Sequence, residues 1–147
     1  MHKVFSKIDY PLVIAGFKPS KHLRKEVSKH KFIRIIESPE KNLLKNSIEN
    51  AQMQVLPTQQ DTGIKLKLLK SLHKGRHCIV NGKMVNETGL ENACHIVEKP
   101  EEWIKKIKEL EELPFYSSEI EKRTKLLKKF NCENEAKKII QLIYPQE

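Results

Sequence analysis

Val55-Leu56-Pro57-Thr58, then Thr62-Gly63-Ile64-Lys65-Leu66-Lys67-Leu68-Leu69, then Lys74-Gly75-Arg76-His77-Cys78-Ile79-Val80, decide how this chain is read. A short apolar run ends in Pro-Thr, and a polar loop follows. The pattern predicts a helix that opens at Thr62-Gly63, stops at Gly75 and leads into a second apolar run. That is one strand–loop–helix–strand unit. In a parallel sheet the loop of such a unit presents a helix N-terminus to an anionic ligand. Thr62 is placed to cap the helix, Gly63 lets a ligand approach the backbone, and Lys65, one turn in, can reach back to the same point.

The same alternation extends in both directions. Val4, Phe5 and Ile8 sit at helical spacing, as in the last turns of a helix. Leu12-Val13-Ile14-Ala15 is a continuous apolar run that Gly16 ends, as a buried parallel strand ends. Ser20 is expected to cap a helix carrying Leu23 and Val27, and Phe32 to Ile36 forms the next strand. Ser38-Pro39-Glu40 reads as a helix start with proline in the first helical position, followed by a stripe of Leu43, Leu44 and Ile48. Met53 to Leu56 and Cys78 to Val80 are the third and fourth strands. A helical turn over Thr88 to Ala93 precedes a short run, His95 to Val97. Pro100-Glu101-Glu102 opens a helix bearing Trp103, Ile104, Ile107 and Leu110. Two further helices follow, one capped by Ser117 or Ser118 and one from about Glu133. Strands alternating with helices of this length predict an α/β fold, a doubly wound parallel sheet with C-terminal helices. Residues 1–114 form the sheet domain and residues 115–147 the helices that pack on it.

Composition narrows the class. A chain of 147 residues with 38% hydrophobic and 32% charged residues suits one globular domain with a heavily solvated surface. No apolar run approaches the roughly 20 residues needed to span a bilayer, and no signal-peptide pattern opens the chain. The expected address is the cytoplasm, with the inner membrane surface as a peripheral alternative. The formal charge of +9 is compatible with nucleic acid, an anionic membrane or anionic small molecules. The lysines are interleaved with glutamates and few aromatics accompany them, so nucleic acid is not the expected partner. Lys122, Arg123, Lys125, Lys128 and Lys129 could line a solvated face or lean on an anionic membrane. Cys78, Cys94 and Cys132 are widely spaced and read as reduced thiols, with neither a zinc site nor a disulfide framework expected. His73 and His77 flank Gly75, but a spacing that spans a helix end favours packing over a metal site.

The order of these motifs resembles the C-terminal, nucleotide-sugar-binding domain of two-domain GT-B glycosyltransferases, the Rossmann-like half of the retaining glycosyltransferase group 1 enzymes. The residues that carry it are Leu12 to Gly16, Val55 to Thr58, Thr62 to Leu69 and Gly75 to Val80, then Thr88-Gly89-Leu90-Glu91, Pro100 to Trp103, and Arg123 with Leu126-Leu127. The resemblance covers nearly the whole chain. It implies a hexosyltransferase that takes a nucleoside-diphosphate sugar as donor and needs no metal or other cofactor. Thr62, Gly63 and Lys65 would contact the diphosphate, where a lysine neutralises charge on the leaving group. Gly16 and Lys18 would line the carboxyl edge of the sheet. Thr88, Gly89 and Glu91 would meet the ribose or sugar, with Glu91 accepting from hydroxyls.

The chain also departs from the pattern. Many relatives carry an acidic pair eight residues apart on the diphosphate helix, and the matching positions here are Thr62 and Lys70. A GT-B enzyme also needs an N-terminal, acceptor-binding domain, and the resemblance implies that the 1–114 domain lacks its own first strand, so a fragment or split subunit completed by another domain or chain is expected. The alternatives are a noncatalytic nucleotide-sugar-binding or scaffold remnant of the fold, and a flavodoxin- or response-regulator-like interaction domain. The last wants clustered acids at strand ends, which here read Gly16, Glu37, Pro57 and Asn81.

Overall fold

The computed structural model describes residues 2–144. In chain order the elements are α1 (His2–Phe5), β1 (Leu12–Gly16), α2 (Lys21–Val27), β2 (Ile33–Glu37), α3 (Lys41–Asn50), β3 (Met53–Leu56), α4 (Leu66–Lys74), β4 (His77–Val80), α5 (Gly82–Val85), β5 (His95–Ile96), α6 (Pro100–Glu111), α7 (Ser117–Leu127) and α8 (Cys132–Ile143). Short 3₁₀ turns cover Glu91–Ala93 and Lys128–Phe130.

All strand pairs are parallel, as the alternation of strands and helices predicts. They form two small sheets, however, not one continuous sheet. β1 pairs with β2, and β3, β4 and β5 pair in that order. Leu12 and Ile33 from the first sheet and Met53 and Val55 from the second pack against one apolar cluster. Side chains therefore join the sheets where the ladders do not. Strand parity divides the larger sheet between two cores. Cys78 and Val80 face Leu68 and Leu72 of α4, Met84 and Val85 of α5, and Leu127 of α7. Ile79 faces the opposite way, onto Trp103, Ile107 and Leu110 of α6 and Val4 and Phe5 of α1. Helices thus cover both faces, and all four residues of β4 are buried.

Local chemistry explains the start of α2 and the end of α4. Ser20 caps α2, its hydroxyl accepting from the Leu23 N–H at 3.1 Å. Gly75 ends α4 with its N–H on the Ser71 carbonyl at 2.8 Å. A Cβ there would lie 2.8 Å from that same carbonyl oxygen and 3.0 Å from Gln54, so the close helix–strand approach requires glycine.

Three expected helix starts are corrected. α4 begins at Leu66, with Lys65 as its N-cap, because Gly63 at φ +68° turns the chain out of helical geometry. Thr62 therefore does not cap it. α3 begins at Lys41 behind Glu40, so Pro39 lies outside the helix. Ser38 there adopts φ +46° and donates its N–H to the Gly16 carbonyl, which commits the segment to leaving β2. In α7, Ser117 is the first helical residue and Tyr116 occupies the cap.

Candidate functional site

Ligands of open α/β sheets bind beyond the carboxyl ends of the strands. At that edge of β3 and β4 the loop 57–65 faces α5. Asn81, the first residue after β4, ties the two strand ends together. Its Oδ1 accepts from the Thr58 N–H and its Nδ2 donates to the Thr58 carbonyl, both at 2.9 Å. The Thr58 hydroxyl accepts from the Gln60 N–H at 3.2 Å and stiffens the next turn. Farther along, Asn86 Nδ2 approaches Asp61 Oδ1 at 3.5 Å. Lys65 Nζ donates to the Lys83 carbonyl at 3.1 Å, and Lys67 Nζ to the Pro57 carbonyl at 3.3 Å. Two ammonium groups from the start of α4 therefore flank the loop.

Gly63 is exposed, and a Cβ built on it meets nothing within 4 Å. α4 has no side chain capping its N-terminus and no acidic residue in its first turn. The partial positive charge of a helix start is thus reinforced by Lys65 and Lys67 and opposed by no carboxylate in that turn. The loop, the helix start and the two lysines make an arrangement suited to a compact polyanion. On the far side, Glu98 follows β5 and its carboxylate accepts from the Gly82 N–H at 2.7 Å.

The remaining predicted residues fall into two groups. Gly16 and Lys18 belong to the other sheet. Gly16 accepts from Ser38, Lys18 sits 5.1 Å over the Phe17 ring at φ +45°, and among the described residues no hydrogen bond links either to loop 57–65. Thr88, Gly89 and Glu91 close on themselves. The buried Thr88 hydroxyl donates to the Val85 carbonyl at 2.7 Å and accepts from the Leu90 N–H at 3.2 Å. The Glu91 carboxylate accepts from the Gly89 N–H at 3.2 Å. Lys129 Nζ donates to the Thr88 carbonyl at 2.8 Å and fills the space a Cβ on Gly89 would need. These polar groups are engaged in holding the turn.

Sequence reasoning missed Asn81, Asp61, Lys67, Asn86 and Glu98 as organisers of this edge. Only Asn81 carried a signal, as a polar residue directly after an apolar strand. His77 is buried, with Nε2 3.1 Å from the Leu113 carbonyl and its ring edge-on to Phe115, which makes it a packing residue. His95 lies 5.6 Å from the His77 ring, and burial lowers its pKa. Trp103 is core, as its helical spacing predicts. Among the described residues no group of three or more His, Cys, Asp or Glu is placed to hold a metal ion, and no helix is long and apolar enough to cross a membrane. Lys122 pairs with Glu119 at 2.8 Å, so part of the basic face of α7 is neutralised locally. Two surface hollows lie elsewhere, between α1 and the α2–β2 unit, and share Phe5, Ser6, His30 and Ile33. No family model and no curated protein matches the chain.

Proposed function

We propose that this chain is the donor-binding part of a glycosyltransferase of the GT-B kind. It would hold a nucleoside-diphosphate sugar from which a hexose passes to an acceptor bound by another domain or chain. One observation carries the reading. The loop between β3 and α4 joins an open left-handed glycine, Gly63, to an uncapped helix start bracketed by Lys65 and Lys67. A diphosphate is a ligand whose charge suits those groups, through backbone N–H donors and ammonium ions without a metal. Lys65 acts from the cap position, its ammonium held on the Lys83 carbonyl between loop and α5. The Glu91 and Glu98 carboxylates each accept from a backbone N–H, of Gly89 and Gly82 respectively, so neither is assigned to a ribose or sugar hydroxyl.

The test is calorimetry or a thermal-shift screen of the purified chain against UDP, GDP, ADP and their sugar conjugates, with AMP as control. A ligand at 100 times its Kd adds about 2.7 kcal/mol to stability, which such a screen resolves. Lys65→Ala should weaken binding of the responding diphosphate about tenfold, the scale of one lost charge-assisted contact, and leave the melting of the free chain nearly unchanged. A variant with unaltered affinity removes Lys65 from the site. A second reading, a noncatalytic remnant of the fold, is favoured by the absence of carboxylates at Thr62 and Lys70. It takes the lead if a folded sample responds to no nucleotide.

A further inference from the structure

Cys78 and Cys94 lie far apart in the sequence and side by side in the sheet. β4 and β5 run parallel with Ile79 opposite His95 and Val80 opposite Ile96, so one step back along the same register sets Cys78 opposite Cys94. Both point to the α4–α7 face, where Cys78 is fully buried in the core and Cys94 is half-buried against it. Both are free cysteines. The spacing of neighbouring strands, about 4.8 Å, falls within the Cα separation that a disulfide spans.

A third group completes the cluster. Arg123 of α7 is 6% exposed, donates to the Gly75 carbonyl at 3.1 Å and the Arg76 carbonyl at 2.5 Å, and lies 4.7 Å over the Phe115 ring. Among the described residues it forms no salt bridge with a carboxylate. Burial lowers its pKa, and the nearby Cys78, Cys94 and Glu119 oppose that shift. A guanidinium in the interior needs electron-rich partners, and the Gly75 and Arg76 carbonyls and the Phe115 ring supply them. The pair is also asymmetric. The neighbouring Cys94 thiol and burial together push the Cys78 thiol well above its ordinary value, whereas the Cys78 thiol and the Arg123 charge draw Cys94 down.

We infer that Cys78 and Cys94 form a redox pair, with Cys94 as the attacking thiolate, Cys78 as the resolving thiol and a hydroperoxide as oxidant. In the first step the Cys94 sulfur attacks the terminal peroxide oxygen and the O–O bond breaks. The products are a Cys94 sulfenic acid and an alkoxide, or hydroxide from hydrogen peroxide, which takes up a proton. In the second step the Cys78 sulfur attacks the Cys94 sulfur, the S–O bond breaks, and the hydroxyl leaves as water with the thiol proton. Two thiols and one hydroperoxide thus yield one disulfide, one alcohol or water, and one further water. Arg123 is a positioning residue that holds the thiolate at the pair.

The test uses the full chain with Cys132→Ser, exposed to hydrogen peroxide and digested under non-reducing conditions for mass spectrometry. A Cys78–Cys94 linked peptide, lighter by two hydrogens and reversed by dithiothreitol, is expected. Cys78→Ser in the same background should stop at a Cys94 sulfenic acid trapped by dimedone. Cys94→Ser should leave Cys78 reduced, because it is buried. Arg123→Met should slow trapping of Cys94 about tenfold at neutral pH and far less at a pH where the thiol is fully ionised, a pattern that a packing defect would not produce. Since the parent experiment requires no core substitution, a folding defect in one variant does not remove the test. The inference fails if the parent chain gives only over-oxidised Cys94 with no linked peptide, or if Cys78 is oxidised as fast without Cys94 as with it.

Discussion

The two sheets of this molecule are built to different standards. In β3–β4–β5 every residue of β4 is buried, and α4, α6 and α7 each contribute buried leucine or isoleucine side chains, among them Leu68, Leu110, Ile107 and Leu127. Around β1–β2, neither α2 nor α3 buries a single residue completely, and Val13, Phe32 and Leu43 remain 38%, 49% and 46% exposed. The first half is held by packing. The second rests on the β1–β2 ladder and on Leu12 and Ile33 against the shared cluster, with the Ser20 cap and a surface pair between Arg24 and Glu37 added, and exposed pairs contribute little. The proposed donor loop hangs from the packed half through Asn81 and Thr58. A site that must fix a diphosphate gains from that rigidity, because groups locked by packing are not reordered on binding.

The largest effect should come from cavities cut in the two halves. Leu68→Ala removes a fully buried side chain and should cost about 3 kcal/mol. Leu23→Ala, on the half-covered face of α2, should cost about 1 kcal/mol, the transfer cost of a partly buried group without a sealed cavity. Urea unfolding of both variants checks the difference, and native-state hydrogen exchange should show lower opening free energies for β1 and β2 than for β4. Equal costs for the two substitutions, or a single level of protection across both sheets, would contradict the division.

The division also marks what could be read from the sequence. The strands were legible because each is a short apolar run between breakers, and α6 because Pro100 opens it and Trp103, Ile107 and Leu110 repeat at helical spacing. The split into two sheets was not, since nothing in an apolar run says which neighbour it pairs with. At the donor loop, a glycine that lets a ligand approach and a glycine that turns the chain are the same letter, so the start of α4 was placed at Thr62 instead of Leu66. Thr88 and Glu91 look like available polar groups until the Val85 carbonyl, the Gly89 N–H and the distant Lys129 are seen to engage them. Asn81 organises the edge through Thr58, a partner across the sheet that spacing does not reveal.

A smaller effect separates the halves by how their helices start. Ser20→Ala should cost about 1 kcal/mol, the usual loss for a hydroxyl N-cap, and that loss should concentrate in β1–β2. Hydrogen exchange locates it. Amides of α2 should lose protection while those of β4 keep theirs, and a uniform loss would mean that the two halves open as one unit.

The smallest effect tests the cap in the packed half. The Glu102 carboxylate accepts from the Glu98 N–H at 2.9 Å and the Lys99 N–H at 3.1 Å, closing the start of α6. Those two backbone bonds, the Glu98 one first, hold its pKa below the ordinary glutamate value of 4.5. A carboxylate whose folded pKa is depressed binds its proton less readily folded than unfolded. Its stabilising contribution is therefore complete above the ordinary glutamate value and is lost as pH falls through the lower folded one. The Ser20 hydroxyl has no such proton equilibrium, so acid should loosen the start of α6 by a route α2 lacks. In an NMR titration the Glu98 and Lys99 amide protons should shift together with a midpoint below 4.5, and Glu102→Gln should abolish that step while keeping an acceptor in place. A midpoint at or above 4.5 would mean that the carboxylate is not held at the helix start, and the tighter construction of the packed half would then not extend to its caps.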